Sequence, residues 1–100
     1  MGSLRRVFAP RAIYKIVGSR VLRGITGIEA YWRTNAAVQR DVRWRAFSLH
    51  RTPAFEALEF RAWFFRIDLN RSLVLDGLMT LEVDQGRITR LVECYRRREG

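Results

Sequence analysis

The clearest pattern in the chain is the alternation of apolar and polar residues from Leu73 to Arg96. Leu73, Leu75, Gly77, Met79, Leu81 and Val83 fall on one side of an extended backbone, and Val74, Asp76, Leu78, Thr80, Glu82 and Asp84 on the other. A period of two with one apolar side predicts a half-buried strand. Asp84-Gln85-Gly86 predicts a tight hairpin turn, with Gly86 supplying the positive φ, and Ile88–Arg96 predicts the returning strand. The same alternation predicts strands at Asp41–Arg51 and Phe55–Ile67. In the first of these, Val42, Trp44, Ala46, Ser48 and His50 share one face, and Arg43, Arg45, Phe47 and Leu49 the other. In the second, Leu58, Phe60, Ala62 and Phe64 lie opposite Ala57, Glu59, Arg61, Trp63 and Phe65. Thr52-Pro53 and Asp68–Arg71 supply the turns.

The first forty residues read differently. Leu4–Pro10 predicts the last turn of a helix, stopped by Pro10. Arg11–Val17 predicts a short strand, and Val21–Gly24 a lead-in to a helix. Thr26 and Glu29 have the spacing of a capping box, and the helix they open extends to about Gln39. Ile28, Tyr31, Trp32, Asn35, Ala36 and Gln39 form one face of it. Strands grouped after helices argue for an α+β fold, with four strands in an antiparallel meander and helices on one face of the sheet.

Composition bounds this picture. One hundred residues make a single domain over residues 1–100, and 48% hydrophobic content supports a folded core. No apolar run is long enough to span a membrane, and no signal peptide is evident, so a cytoplasmic location is expected. The lone Cys94 excludes an internal disulfide and reads as an inert packed thiol. The net charge of +9 invites a nucleic-acid reading, and all the basic residues but Lys15 are arginines. Those arginines are scattered through the strands except at Arg96-Arg97-Arg98, so a dedicated nucleic-acid partner is not expected.

An ordered set of residues then carries a resemblance: Val7-Phe8-Ala9-Pro10 before Ala12, Gly24 with Ile28, Tyr31 and Trp32, Asp41-Val42 with Trp44, Glu59-Phe60 with Ala62, and Gly77 before Asp84, Gly86-Arg87-Ile88, Leu91, Glu93 and Tyr95. This set resembles the SnoaL-like, nuclear transport factor 2-like superfamily over about residues 7–96. The resemblance implies a cone-shaped fold, in which a curved, mostly antiparallel sheet wraps around helices and encloses a pocket, and it implies frequent dimerisation. Small bacterial members of unassigned reaction are the nearest match. The superfamily holds isomerases, cyclases, hydrolases and non-enzymes, so the fold alone fixes no reaction.

The family's residues map onto this chain unevenly. The isomerase branch places a catalytic aspartate near the end of the first strand, where this chain has Ile13–Val17 and no carboxylate. The epoxide-hydrolase branch uses an Arg-x-Asp pair and a last-strand acid. Arg61 and Glu93 match two of these, but Trp63 replaces the first aspartate. A Glu59–Arg61–Glu93 cluster would either polarise a water or satisfy buried charge in a pocket wall. Trp32, Trp63 and Tyr95 are candidate pocket residues, and the tryptophans also read as core. His50, alone, predicts no metal site, and no cofactor motif is present. The expected function is that of a pocket protein for a small apolar or anionic ligand, with isomerase, cyclase or hydrolase chemistry as one form of it. The alternative is a non-catalytic homodimer paired through its outer sheet face. Glu59, Arg61, Trp63 and Tyr95 are expected to face the concave interior. The segment before the first strand is short for this family, so an open apolar groove over Leu73, Leu75, Met79 and Leu81 is expected, unless Met1 is internal to a longer natural chain.

Overall fold

A computed structural model describes residues 2–100, with side chains from Leu4 onward. Its elements are α1 (Gly2–Val7), β1 (Phe8–Ile16), β2 (Arg20–Arg23), α2 (Ile25–Val38), β3 (Gln39–Thr52), β4 (Phe55–Arg66), β5 (Arg71–Asp84) and β6 (Arg87–Glu99). The strands form one open six-stranded sheet in the order β2-β1-β6-β5-β4-β3. Every neighbouring pair is antiparallel except β1 and β6. The α+β class and the meander of β3 to β6 are as the alternation predicts.

The N-terminal region departs from expectation in three places. Pro10 does not stop a helix; it lies inside β1. The register between β1 and β6 breaks between Phe8 and Ile13, and β2 pairs only with Ile13–Ile16, so the missing N–H of Pro10 interrupts no ladder bond. Residues 20–23 form a strand, β2, because Gly18 takes a left-handed φ of 78° and folds β2 back on β1. The capping box does not form. α2 begins one residue before Thr26, at Ile25, with Gly24 as N-cap at φ 83°, ψ 156° and no side-chain cap. Glu29 instead accepts a hydrogen bond from Arg5 Nη2 at 2.7 Å, which ties α1 to α2.

α2 lies against β1, with Ile25 and Ile28 as its buried apolar contacts. Together with Phe8, Ala12, Tyr14 and Ile16 from β1 and Leu91 from β6 they make the core, and Ile28 has no solvent exposure. Met79, Leu81 and Ile88 pack against its edge. These contacts identify the helix-bearing face of the sheet. Cross-strand registers extend that face to Leu58, Phe60 and Phe64 on β4, Leu73, Leu75 and Gly77 on β5, and Glu93 and Tyr95 on β6. The expected apolar groove is largely closed, because Leu73 is buried and Leu75, Met79 and Leu81 are half-buried.

Two bulges shape β3. One lies between Arg40 and Arg43, where Asp41 adopts φ 56°; the other lies between Ser48 and His50. The second reverses the alternation, so His50, opposite Ala57, leaves the face it was expected to share with Ser48. The β5–β6 turn holds Gln85 and Gly86 at φ 51° and 77°, the two left-handed residues of a tight hairpin.

Two glycines give opposite stability predictions. A Cβ on Gly77 would lie 2.8 Å from Tyr95 Cβ and 2.9 Å from the Phe60 ring, whereas one on Gly27, inside α2, would meet nothing within 4 Å. Gly77→Ala is expected to lower the unfolding free energy by about 1–3 kcal/mol through overpacking. Gly27→Ala is expected to raise it by about 1 kcal/mol, the helix-propensity difference. Urea denaturation followed by circular dichroism checks both signs.

Candidate functional site

The parallel register of β1 and β6 sets Tyr14 opposite Leu91 and Ile16 opposite Glu93. Both Tyr14 and Glu93 point to the helix-bearing face, and the Tyr14 hydroxyl donates to Glu93 Oε1 at 2.7 Å across 79 residues of sequence. Tyr14 is 3% exposed and Glu93 8%. A carboxylate so placed needs its donor, since burial without one leaves the charge uncompensated. Among the described residues no sealed side-chain polar atom lacks a partner. The recorded side-chain hydrogen bond of Glu93 is made through Oε1.

Burial shifts both groups. It raises the Glu93 carboxyl above its ordinary 4.5, and the Tyr14 hydrogen bond opposes that shift without cancelling it. Burial also drives the Tyr14 phenol upward, and the nearby Glu93 charge adds to the effect, so the hydroxyl stays protonated as a donor.

Aromatic rings surround the pair. Tyr31 and Trp32, adjacent on α2, approach the Tyr14 ring at centroid distances of 5.8 and 6.4 Å, the tryptophan edge-on. Tyr95, two residues beyond Glu93, shares its face. Trp32 and Tyr95 are 42% and 39% exposed, so the ring cluster is buried at Tyr14 and open at its rim. Burial raises the Tyr95 phenol, and Arg97 and Arg20 pull it back. Sequence reasoning had found Glu93, Trp32 and Tyr95 but not Tyr14. The available signal was its place on the apolar face of β1 beside Ala12 and Ile16, where a buried hydroxyl needs a partner.

Glu59, Arg61 and Trp63 are elsewhere. Arg61 stands opposite Asp76 on β5, and its Nε donates to Asp76 Oδ1. Glu59 stands opposite Leu78, and Trp63 opposite Val74. All three lie on the helix-free face, through the sheet from Glu93. The expected Glu59–Arg61–Glu93 cluster therefore does not assemble, and Trp63 does not join Trp32 and Tyr95. Alternation fixed which residues share a face but not which face looks inward, and Leu58, Phe60 and Phe64 took the inward one. A cleft of about 620 Å3 opens on the helix-free face among Arg45, Arg61, Trp63 and Arg96, away from the buried acid. The Tyr14–Glu93 pair and this cleft are therefore on opposite sides of the sheet.

No family model matches the sequence, and no curated protein matches it. Solved structures do match. A nuclear transport factor 2-like protein of unknown function from Burkholderia pseudomallei is similar at a TM-score of 0.80 and 11% identity, covering 95% of this chain and 77% of that one. A SnoaL-like protein from Mesorhizobium loti is similar at 0.78 and 14% identity, over 92% of this chain and 81% of that one. An epoxide hydrolase from Mycobacterium tuberculosis is similar at 0.74 and 16% identity, over 95% and 69%. With its helices on one face of an open, mostly antiparallel sheet, the chain has the SnoaL-like, nuclear transport factor 2-like cone fold.

Proposed function

We propose that this protein binds a small, mainly apolar molecule at the Tyr14–Glu93 site and performs acid–base chemistry on it, of the isomerase, cyclase or hydrolase type. The observation that carries this reading is the buried 2.7 Å hydrogen bond from Tyr14 to a carboxylate whose affinity for protons is raised by burial. A general base works best with a pKa drawn toward the working pH, and burial moves Glu93 in that direction. Tyr14 fixes the carboxylate through Oε1 and leaves Oε2 to take a proton from carbon or from water. Tyr31, Trp32 and Tyr95 supply an apolar wall around these polar groups, the usual composition of a small-molecule site. That an epoxide hydrolase shares the fold is consistent with such chemistry and does not name the substrate.

A thermal-shift screen of hydrophobic acids, lactones, epoxides and ketones tests binding, since a ligand of the folded state raises its apparent stability. Hits that are ketones or lactones are then followed by proton NMR in deuterated water. Exchange of the α-proton catalysed by the protein is expected, and Glu93→Gln is expected to slow it by roughly 10²–10⁴-fold. Unchanged exchange in that variant removes Glu93 from the reaction.

The raised Glu93 pKa also predicts a pH dependence. The folded state holds this proton more tightly than the unfolded chain. The contribution to stability is full below the unfolded value near 4.5 and is lost as pH rises through the higher folded value. Glu93→Gln keeps an acceptor for Tyr14 but cannot titrate. Melting temperatures measured across this window are expected to fall with rising pH more steeply in the wild type than in Glu93→Gln. Parallel curves would mean that Glu93 titrates as it does in the unfolded chain.

A further inference from the structure

The helix-free face of β3 to β6 brings together residues that are scattered in sequence. Cross-strand registers define adjoining rows on it. One row is Arg43, Trp63, Val74 and Arg98, and the next is Arg45, Arg61, Asp76 and Arg96. Beyond them stand Phe47 opposite Glu59 on one side and Arg40 opposite Phe65 on the other. Arg45 directly faces Arg61, a like-charge pair that destabilises a sheet unless a counter-charge is supplied. Asp76 supplies part of it by accepting from Arg61 and, at 3.2 Å, from Arg98. Arg45 and Arg96 form no ion pair among the described residues. Six arginines thus gather on one surface with Glu59 and Asp76, and Arg40 among them also pairs with the neighbouring Asp41 at 3.7 Å.

Aromatic rings are interleaved with this charge. The Arg40 guanidinium lies 4.4 Å from the centre of the Phe65 ring, and those of Arg43 and Arg61 lie 5.6 and 5.9 Å from the centre of Trp63. Phe47 is 58% exposed at the rim of the 620 Å3 cleft. We infer that this face binds single-stranded nucleic acid. Phosphates answer the uncompensated arginines, while unpaired bases stack on Phe47 and on the guanidinium planes held over Trp63 and Phe65. Four strands about 4.8 Å apart present roughly 15 Å of such surface, enough for several nucleotides. A duplex keeps its bases stacked inside and has no use for the rings. A second copy of the same face would bring arginines against arginines. An acidic peptide would meet the charge but leave the aromatic surface unused. Arginines that are scattered in sequence are gathered on one face by the period of two.

The test is fluorescence anisotropy with a labelled oligouridine about fifteen nucleotides long, titrated between roughly 50 and 200 mM NaCl. Arg45→Ala/Arg96→Ala is expected to weaken binding at least about tenfold and to reduce the log–log salt slope by about 0.7 for each arginine removed. Arg23→Ala/Arg33→Ala removes the same charge elsewhere and is expected to change affinity less than about threefold. Phe47→Ala is expected to weaken binding with the slope unchanged, which separates stacking from charge. Glu93→Gln is expected to bind oligouridine as the wild type does, so this inference and the acid–base reading fail independently. Equal loss in the two arginine double variants, equal affinity for a duplex or for polyglutamate, or no binding at the lowest salt each overturns the inference. So does sedimentation showing a stable dimer that Phe47→Ala dissociates.

Discussion

The pairing of β1 with β6 is the constraint on which the rest depends. It is the one parallel contact in the sheet, and it joins the first strand of the chain to the last. Parallel neighbours need a long crossover, and here that crossover is most of the protein: β2, α2 and the three strands β3 to β5. Because β1 lies at β6, α2 finds an apolar surface made from both ends of the sequence, with Ile28 set against Ala12, Tyr14 and Leu91. The same register brings Tyr14 within hydrogen-bond reach of Glu93. The core and the candidate site therefore rest on one long-range pairing, whose loop is nearly the whole chain.

Much of the fold was legible in the sequence because it is written in a period of two. The strands from Gln39 to Glu99 begin and end close to where the alternation places them, and Gly86 marks the last turn. What was not legible depends on contacts between distant residues. Pro10 reads as a helix stop locally, yet it sits at a gap in a ladder whose other strand is about eighty residues away. Thr26 and Glu29 have capping-box spacing, but Gly24 starts the helix early and Arg5 claims the glutamate. Bulges are equally invisible to a periodic reading, and one of them turned His50 over.

The site was half legible for the same reason. Glu93 was identified through a resemblance, and its true partner, Tyr14, belongs to a strand paired in parallel at the far end of the chain. Glu59 and Arg61 were grouped with Glu93 because a strand's two faces are equivalent until something packs on one of them. The helices chose the face of Phe60 and Leu58. That choice left Arg61 with Asp76 and Arg98 on the outside, in a network that holds Asp76 well below the usual carboxylate range, chiefly through the Arg61 hydrogen bond.

The bulged strand β3 has one more consequence. It is the last strand of an open sheet, and every residue from Arg40 to Thr52 is exposed. A long bare edge bearing Val42, Trp44, Phe47 and Leu49 is the kind of template on which copies of a protein polymerise strand to strand. β3 is not a straight template. Its two irregularities coil the backbone and break the run of unpaired amides into short stretches, and Arg43, Arg45 and Arg51 set positive charge where an identical strand would have to lie. The features that spoil the alternation of β3 thus act against strand-to-strand growth at this open edge.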